Sequence, residues 1–351
     1  MTYCVGWKYK NSVYLLADTA VTKSSEVYQN LSSFGEFHRY VRDGYVEESL
    51  LKIVPLNENI VVGFSGNVQL ATSVIDYIKE NLMSDITNQN LRYLVSNIEK
   101  SLGPFHVDKA VQLVIAKTSL IEESDLIFWD TVNGICTDNK NIYQLGSMES
   151  YHSSLTDFIL SIMSQANIDE DRMLAIVLAM VQSYGVNDDM LEQNIGGIVW
   201  GIRNTNGQLY WQEDTNYVIY DDDMSLIWVT AFELENVLIV SSSKRDGVAC
   251  FAHSSSLDTE ESFLEKWGEY IRNYFTESKT RYWIHIRKKD KLLTIIRRED
   301  LEKPSKYISV SKGDDQDFTL SMSPELMNLL NAPLKDLGSD SIPVRINFRN
   351  D

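Results

Sequence analysis

Residues 2–18 read TYCVGWKYKNSVYLLAD, and this stretch decides the fold. Apolar residues alternate with other types as far as Tyr9, and a second apolar run begins at Val13 after a short polar turn. Two such runs around a tight polar turn are typical of a β-hairpin. The stretch therefore predicts that the fold opens with two paired strands, the second of which ends at Asp18.

The composition is that of a folded protein with an acidic balance. Hydrophobic residues make up 44% of the 351 residues and charged residues 23%, which argues against a disordered chain. A formal net charge of -18 disfavours binding to nucleic acid or to anionic membranes, because like charges repel. Three widely spaced cysteines indicate neither a disulfide framework nor a zinc site. Since the sequence shows no signal peptide and no membrane span, we expect a cytoplasmic protein without a metal or cofactor.

Farther along the chain, strand patterns and helix patterns come in separate blocks. Strand patterns cover residues 53–54, 60–64, 110–117, 126–130, 142–145, 196–203 and 208–211, and helical spacing covers 68–82, 91–102, 155–162 and 173–180. Such blocks favour an α+β fold in which two sheets stack face to face and helices cover their outer faces. We expect them to belong to one unit, residues 1–254.

A different order of elements follows in the last third of the chain. The predicted elements are strands at 226–232 and 237–241, a polar linker at 253–256, a helix at 263–274, a hairpin of 282–287 with 292–297, and a helix at 324–330. Residues 255–351 are therefore expected to form a small α+β region of their own.

The predicted C-terminal hairpin carries a basic cluster, which is an exception to the acidic balance. Its members are Lys279, Arg281, Arg287, Lys288, Lys289, Lys291, Arg297 and Arg298. A basic hairpin can bind an acidic partner or a nucleic acid. A solvated sheet face whose charges pair with nearby acidic residues is the favoured interpretation.

Thr2 is a candidate nucleophile because of its position in the chain. A threonine hydroxyl reacts when a base removes its proton, and the threonine's own α-amine is such a base when no residue precedes it. The α-amine has a pKa of about 8, so a useful fraction is neutral near physiological pH. Removal of Met1 would expose this amine, although threonine is also an ordinary second residue in many chains.

Several motifs together resemble those of proteasome β-type subunits. The motifs are Thr2 to Gly6, Val13 to Asp18, Val21-Thr22, Leu51-Lys52-Ile53, Ile60 to Gly66, Gly146-Ser147 and Gly196-Gly197. The resemblance covers residues 2–220, and the start of the chain is most similar to the bacterial proteasome-related class called Anbu. It implies a four-layer αββα fold of the N-terminal nucleophile (Ntn) hydrolase type for the larger unit.

The resemblance also implies roles for the site residues. Thr2 would supply nucleophile and base, Lys52 would lower the pKa of the amine, and Asp18 would orient Lys52. The amide of Gly63 would donate to the oxyanion. The implied activity is cleavage of peptide bonds through an ester on Thr2, which water then hydrolyses.

Ser147 and Glu192 take the supporting positions near the nucleophile by the same resemblance. The chain nevertheless departs from the family pattern in three respects. Ile195 stands where the family has a serine, residues 23–50 form an insertion near the expected substrate cleft, and Met1 would block the amine if it were retained.

Two alternatives to a peptidase stay open. The insertion could reshape the pocket of an Ntn hydrolase for a non-peptide amide. The core could instead be a catalytically inactive scaffold or sensor subunit in which Asp18 and Lys52 form an ordinary ion pair. For assembly, the family implies a ring or spiral of like subunits that admits peptides or unfolded chains, and the C-terminal region could dock an unfoldase or another partner.

Overall fold

The computed structural model describes residues 3–23, 31–36, 45–105, 110–136, 138, 140–146, 149–165, 168–187, 196–220, 226–243, 249–253, 267, 269–270, 274, 279–288, 292–312, 318–331 and 345–351. The strands in these residues are β1 (Tyr3–Tyr9), β2 (Ser12–Asp18), β3 (Ala20–Lys23), β4 (Leu31–Ser32), β5 (Gly35–Glu36), β6 (Tyr45–Glu48), β7 (Ile53–Pro55), β8 (Ile60–Gly66), β9 (Val111–Lys117), β10 (Asp125–Asp130), β11 (Gly134–Ile135), β12 (Ile142–Gly146), β13 (Val199–Thr205), β14 (Gln208–Trp211), β15 (Thr215–Tyr220), β16 (Leu226–Leu234), β17 (Val237–Ser242), β18 (Ala249–His253), β19 (Tyr282–Arg287), β20 (Leu292–Arg297), β21 (Ile308–Lys312), β22 (Phe318–Met322) and β23 (Arg345–Asn350). The helices are α1 (Val68–Glu80), α2 (Asn88–Ser96), α3 (Ile98–Leu102), α4 (Glu149–Met163), α5 (Glu170–Asn187) and α6 (Pro324–Asn331). These elements combine sheets and helices in an α+β fold.

The first sheet confirms the predicted opening hairpin. Its strand order is β12-β1-β2-β13-β14, and β1 pairs antiparallel with β2 so that Cys4 lies opposite Ala17. This register brings Asp18, the last residue of β2, to the start of β1 at Tyr3. On the other side of β1, Gly146 at the end of β12 lies opposite Tyr3. Asp18, Tyr3 and Gly146 therefore meet at one end of the sheet.

The second sheet has the order β11-β10-β9-β8-β7 and packs one face against α1, α2 and α3. Phe64 of β8 is buried there in one cluster with Val74 and Ile78 of α1. The spacing of apolar residues at 68–82 is thus confirmed as the buried face of a helix.

The helical pattern at residues 91–102 forms two helices instead of one. The break is at Asn97, whose side-chain amide donates to the carbonyl oxygen of Tyr93 at 2.7 Å. Asparagine side chains compete with the backbone for such hydrogen bonds, which favours a helix end. A separate short helix, α3, then begins at Ile98.

The main apolar core lies between the first two sheets and continues around the first. Val5 and Leu15 of the first sheet share a cluster of buried residues with Val61 and Val114 of the second. The same cluster includes residues of α4 and α5, and α5 contacts β2 and β13. All seven residues of β2 are buried, as expected for a strand that is covered on both faces.

A third sheet of seven strands has the order β18-β17-β16-β15-β19-β20-β23. It joins strands from both sides of residue 254, since β15 pairs in parallel with β19. One face of this sheet belongs to the main core, where α5 contacts β19 and β20. A division into residues 1–254 and 255–351 therefore does not coincide with a break in the sheet, and as a boundary between domains it stays a prediction.

The other face of the third sheet packs against β21, β22 and α6. Trp283 of β19 and Leu326 of α6 are buried in this smaller cluster. The predicted hairpin is confirmed as β19 and β20, and the predicted last helix as α6, which starts at Pro324 with the hydroxyl of Ser323 accepting the amide of Leu326 at 3.2 Å.

Two other predictions for this region fall partly outside the described residues. Of the predicted helix at 263–274, residues 267, 269–270 and 274 are described, and all four are helical. Of the predicted linker at 253–256, only His253 is described, and it is the last residue of β18.

Two arginines of the basic cluster donate hydrogen bonds to backbone carbonyl oxygens. Arg298 is only 5% exposed and donates to the carbonyl oxygen of Lys303 at 2.6 Å. Arg281 donates to the carbonyl oxygen of Arg298 at 2.6 Å. These two guanidinium groups therefore hold the ends of the hairpin, while Lys289 and Lys291 lie outside the described residues.

His285 of β19 is buried in the third sheet, with its Nδ1 2.9 Å from the hydroxyl of Tyr220. Burial lowers the pKa of His285 to about 3, because the charged imidazolium would lose its hydration. Between this value and the unfolded value near 6.5, only the unfolded state binds the proton, so stability falls as the pH falls through that range.

We therefore expect His285→Gln to make the unfolding free energy less dependent on pH. Between about pH 6 and pH 4, the wild type should lose about 1.4 kcal/mol per pH unit more than the variant, which is the effect of one proton. Urea unfolding of both proteins across this range measures the difference. Parallel pH curves for the two proteins would contradict the prediction.

Candidate active site

Asp18 is fully buried at the end of β2, so its carboxylate needs donors from the protein. Its Oδ1 accepts the amide of Tyr3 at 3.1 Å and the ammonium of Lys52 at 2.6 Å. Its Oδ2 accepts the amide of Gly196 at 3.1 Å. One carboxylate thus joins the start of β1, the residue before β7 and the segment before β13.

Lys52 reaches Asp18 from the edge of the second sheet and is 1% exposed. Its Nζ also donates to the carbonyl oxygen of Ala20. Burial lowers the pKa of the Lys52 ammonium because the charged form loses its hydration, while the Asp18 carboxylate opposes that shift. Because its pKa is lowered, Lys52 gives up a proton more readily than a lysine on the surface.

The predicted partners Asp18 and Lys52 are in direct contact although residues 23–50 lie between them. The insertion leaves and rejoins the core at one place, because β3 and β6 pair antiparallel with Ala20 opposite Glu48. The chain is back in the apolar core at Leu51, which is fully buried. The insertion therefore does not displace Lys52 from the site.

Four predicted site positions lie outside the described residues, namely Thr2, Ser147, Glu192 and Ile195. Their described neighbours meet at the same end of the first sheet. Tyr3 follows Thr2, and Gly146 precedes Ser147. Tyr3 is bonded to Asp18 and lies opposite Gly146. Gly196 follows Ile195 and is also bonded to Asp18.

Gly63 lies in the middle of β8, opposite Ile53 on one side and Val114 on the other. The amide of Phe64 donates to the carbonyl oxygen of Lys52 at 3.1 Å, on the β7 side. Successive amides of a strand point to opposite edges, so the amide of Gly63 points into the ladder with β9. An amide in a ladder is already used and is poorly placed to bind an oxyanion.

Gly66 ends β8 and offers a different backbone amide. Its φ of 101° lies in the left-handed region, and an added Cβ would overlap the carbonyl oxygen of Ala110, so the position requires glycine. Its amide points to the same side as that of Phe64, two residues earlier, and hence toward the segment that contains Lys52. Helix α1 begins just beyond it, capped by Asn67, and its N-terminus adds positive potential there.

Cys4 of β1 is a fully buried core residue. Burial raises the pKa of its thiol above the usual range because a thiolate would lose its hydration, and the nearby Asp18 carboxylate adds to the effect. An added Cβ on Gly63 would lie 2.5 Å from its Sγ, so the sulfur occupies the contact between the two sheets. A neutral thiol enclosed in this way is not a nucleophile.

Two polar residues near the site were not predicted from the sequence. Glu48 accepts the amide of Ile198 at 3.1 Å, and Gln182 of α5 accepts the amide of Val199 at 2.7 Å and donates to the carbonyl oxygen of Gly197 at 3.1 Å. Both hold the segment that follows Gly196. Gln182 directly follows the apolar run 173–181 of α5 and precedes another polar residue, Ser183, so no sequence pattern distinguished it.

Among the described residues, no group of three His, Cys, Asp or Glu side chains could hold a metal ion. No helix in the described part of the chain is long and apolar enough to cross a membrane.

Comparison with known proteins gives a similarity to solved structures. No family model and no curated protein matches the chain. The chain is similar to the crystal structure of eukaryotic HslV from Trypanosoma brucei, with 14% sequence identity and a TM-score of 0.40. The match covers 57% of this chain and 98% of that one. A TM-score of this size is too low for a conclusion about either fold or activity.

Proposed function

We propose that this protein is a threonine peptidase of the Ntn hydrolase type with Thr2 as its nucleophile. The observation that carries the proposal is that Asp18 Oδ1 accepts both the Tyr3 amide and the Lys52 ammonium. Thr2 is joined directly to Tyr3, so its amine and hydroxyl belong to the residue next to a buried lysine and aspartate pair. The motifs of residues 2–66 support the same conclusion from the sequence.

The proposed reaction requires that Thr2 is the first residue of the mature chain. Its neutral α-amine takes the proton from its hydroxyl, and the hydroxyl oxygen attacks the carbonyl carbon of the substrate amide. The C–N bond breaks as the leaving amine takes up the proton, which leaves an ester on Thr2. Water then gives a proton to the α-amine and attacks the ester, and the α-ammonium returns that proton to the threonine oxygen as the acid is released.

Lys52 assists by its charge and Asp18 by its position. An ammonium near the α-amine disfavours a second positive charge, so it increases the neutral fraction of that amine. Asp18 holds the ammonium, and two backbone amides hold Asp18 in turn. The location of the charge is therefore set by the fold before substrate binds.

For the oxyanion we propose the amide of Gly66 instead of that of Gly63. The Gly63 amide belongs to the ladder with β9, whereas the Gly66 amide points toward the side of Lys52. The N-terminus of α1 supports a negative charge at the same place. Ser147 and Glu192 are proposed to support the nucleophile, on the basis of the sequence resemblance.

The proposed architecture of the core is the four-layer αββα arrangement. Helices α1 to α3, the second sheet, the first sheet, and α4 with α5 would be its successive layers. The shared apolar clusters and the contacts of α5 with β2 and β13 support this order. The third sheet would then cover the outer side of α5.

Substrate, assembly and location are proposed from the sequence resemblance. The substrates would be short peptides or unfolded chains, cleaved inside a ring or spiral of like subunits of the Anbu class. An unfoldase or another partner would dock through the C-terminal region. The protein would act in the cytoplasm.

Intact mass and N-terminal sequencing, with and without a peptide epoxyketone or β-lactone, test the proposed nucleophile. We expect the chain to start at Thr2 and to gain the mass of one probe molecule. Thr2→Ala should gain none, and Cys4→Ser, the matched control for the neighbouring thiol, should gain the same mass as the wild type. Cleavage of a peptide library, compared with a library of non-peptide amides, then identifies the substrate class. A retained Met1 without any adduct would instead favour a scaffold or sensor subunit in which Asp18 and Lys52 are a structural ion pair.

A further inference from the structure

Glu48, the last residue of β6, carries a buried carboxylate that the proposed reaction does not use. It is 5% exposed. Its Oε2 accepts the amide of Ser33 at 2.7 Å, and its Oε1 accepts the hydroxyl of Ser33 at 2.9 Å and the amide of Ile198 at 3.1 Å. All three donors are neutral. Burial of a carboxylate among neutral donors is costly, and an apolar side chain would fill the same space without that cost.

The contacts of Glu48 converge on the segment that holds Asp18. Gly196 donates to Asp18, and Ile198, two residues later, donates to Glu48. The hydroxyl of Thr19 donates to the carbonyl oxygen of Ile198 at 2.9 Å. Gly197 lies between them with a φ of 71°, and an added Cβ would be 2.6 Å from the Thr19 hydroxyl and 2.8 Å from Cγ of Glu48. The segment is thus held from Asp18 and from Glu48 at once.

Glu48 is also linked to the second acceptor of Lys52. In the pair formed by β3 and β6, Ala20 lies opposite Glu48, and the carbonyl oxygen of Ala20 accepts a hydrogen bond from Lys52. The Lys52 ammonium has two acceptors, one on Asp18 and one on Ala20. Glu48 contacts the segment that donates to Asp18 and belongs to the strand pair that contains Ala20.

We infer that Glu48 is a positioning residue for the site, an inference that rests on the proposed function for its kinetic test. It acts through Ile198 and Gly196 on Asp18, and through the strand pair on Ala20, so that the Lys52 ammonium has one location. Since Glu48 belongs to residues 23–50, the insertion supplies part of the support of the site.

Three variants separate positioning from general destabilisation. Glu48→Ala removes all three contacts. Glu48→Gln can keep its oxygen at the position of Oε1, which accepts both Ile198 and the Ser33 hydroxyl, so it should restore function. Glu122→Ala is the matched control, because Glu122 also fixes a loop by accepting a backbone amide, that of Asn88 at 2.9 Å, at the far end of the second sheet.

The first readout is the rate at which the epoxyketone probe modifies Thr2, measured over a range of probe concentrations. Glu48→Ala should lower the maximal rate by about tenfold or more and leave the half-saturating concentration unchanged, because Glu48 does not touch the probe. Glu48→Gln should stay within about threefold of the wild type, as should Glu122→Ala. Equal losses in Glu48→Ala and Glu48→Gln, or a wild-type rate in Glu48→Ala, would overturn the inference.

The second readout does not depend on activity. Amide hydrogen exchange at Gly196 and Ile198 should be faster in Glu48→Ala than in the wild type and unchanged in Glu122→Ala. If the wild type takes up no probe but exchange responds in this way, the proposed function fails and the positioning contact stands. Unchanged exchange would refute the inference whatever the activity. Should Glu48→Ala not fold, Ser33→Ala, which removes one donor, replaces it and should show the same pattern at smaller size.

Discussion

Replacement of Lys52 by methionine is expected to abolish labelling of Thr2 and to lower the unfolding free energy by about 3–5 kcal/mol. The loss of stability follows because the fully buried Asp18 would keep its two amide donors but lose the cation that balances its charge. Methionine is unbranched and adaptable like the lysine stem, so a cavity contributes little. Urea unfolding measures the loss of stability, and the mass of the probe adduct measures the loss of labelling.

A double variant distinguishes the unpaired charge from other causes of the loss. Asp18→Asn combined with Lys52→Met removes both charges, and removal of a whole buried pair is often close to neutral for stability. We expect the double variant to be more stable than Lys52→Met alone and still unlabelled. Arg92→Met is a control for loss of a partly exposed ion pair with Asp125, which is expected to cost about 1 kcal/mol or less. A stability loss in Lys52→Met no larger than in Arg92→Met would show the explanation to be wrong.

Gly66→Ala is expected to be the most damaging of the small substitutions at the site. The residue has a left-handed φ, and the new Cβ would overlap the backbone carbonyl of Ala110, which has no freedom to move as a side chain would. Together these effects should lower the unfolding free energy by about 2–5 kcal/mol. Because the Gly66 amide is the proposed oxyanion donor, labelling of Thr2 should also fall below detection.

Gly103→Ala is the matched control for this substitution. Gly103 follows α3 with a φ of 87°, and an added Cβ there meets nothing within 4 Å. It should therefore cost only the left-handed strain, about 1–2 kcal/mol, and leave labelling intact. Equal stability losses in the two variants, measured by urea unfolding, would mean that the overlap with Ala110 is relieved and that the expected cost is too high.

Elements with a clear local pattern were predicted from the sequence, and the third sheet was predicted only in part. The opening hairpin has the periodicity of strands and α1 has that of a helix, and each has partners that are close in the sequence. By contrast, β15 pairs in parallel with β19, more than sixty residues later, and a parallel pair has no tight turn to mark it. β15 also begins with polar residues that bond inside the sheet, since Asn216 accepts the indole N–H of Trp228 in β16 at 3.2 Å. Its sequence does not look like a buried strand for this reason.

The site shows the same limit at the level of single residues. The contact between Asp18 and Lys52 agrees with what the resemblance implied from two local motifs, and their roles stay a prediction. The resemblance implied Gly63 as the oxyanion donor, and spacing along the sequence does not tell to which side of a strand that amide points. Glu48 was missed since its role depends on Ile198, which only the folded chain brings near.

The donors that satisfy Asp18 and Glu48 come together late in folding. Asp18 is completed by Gly196, 178 residues later, and Glu48 by Ile198, 150 residues later. During synthesis the N-terminal residues emerge first, and contacts across such separations form late because closing long loops costs entropy. A growing chain therefore carries Asp18 and Glu48 before the segment that donates to both of them has been made. Under the proposed function, the site would therefore be completed only when the whole core has folded.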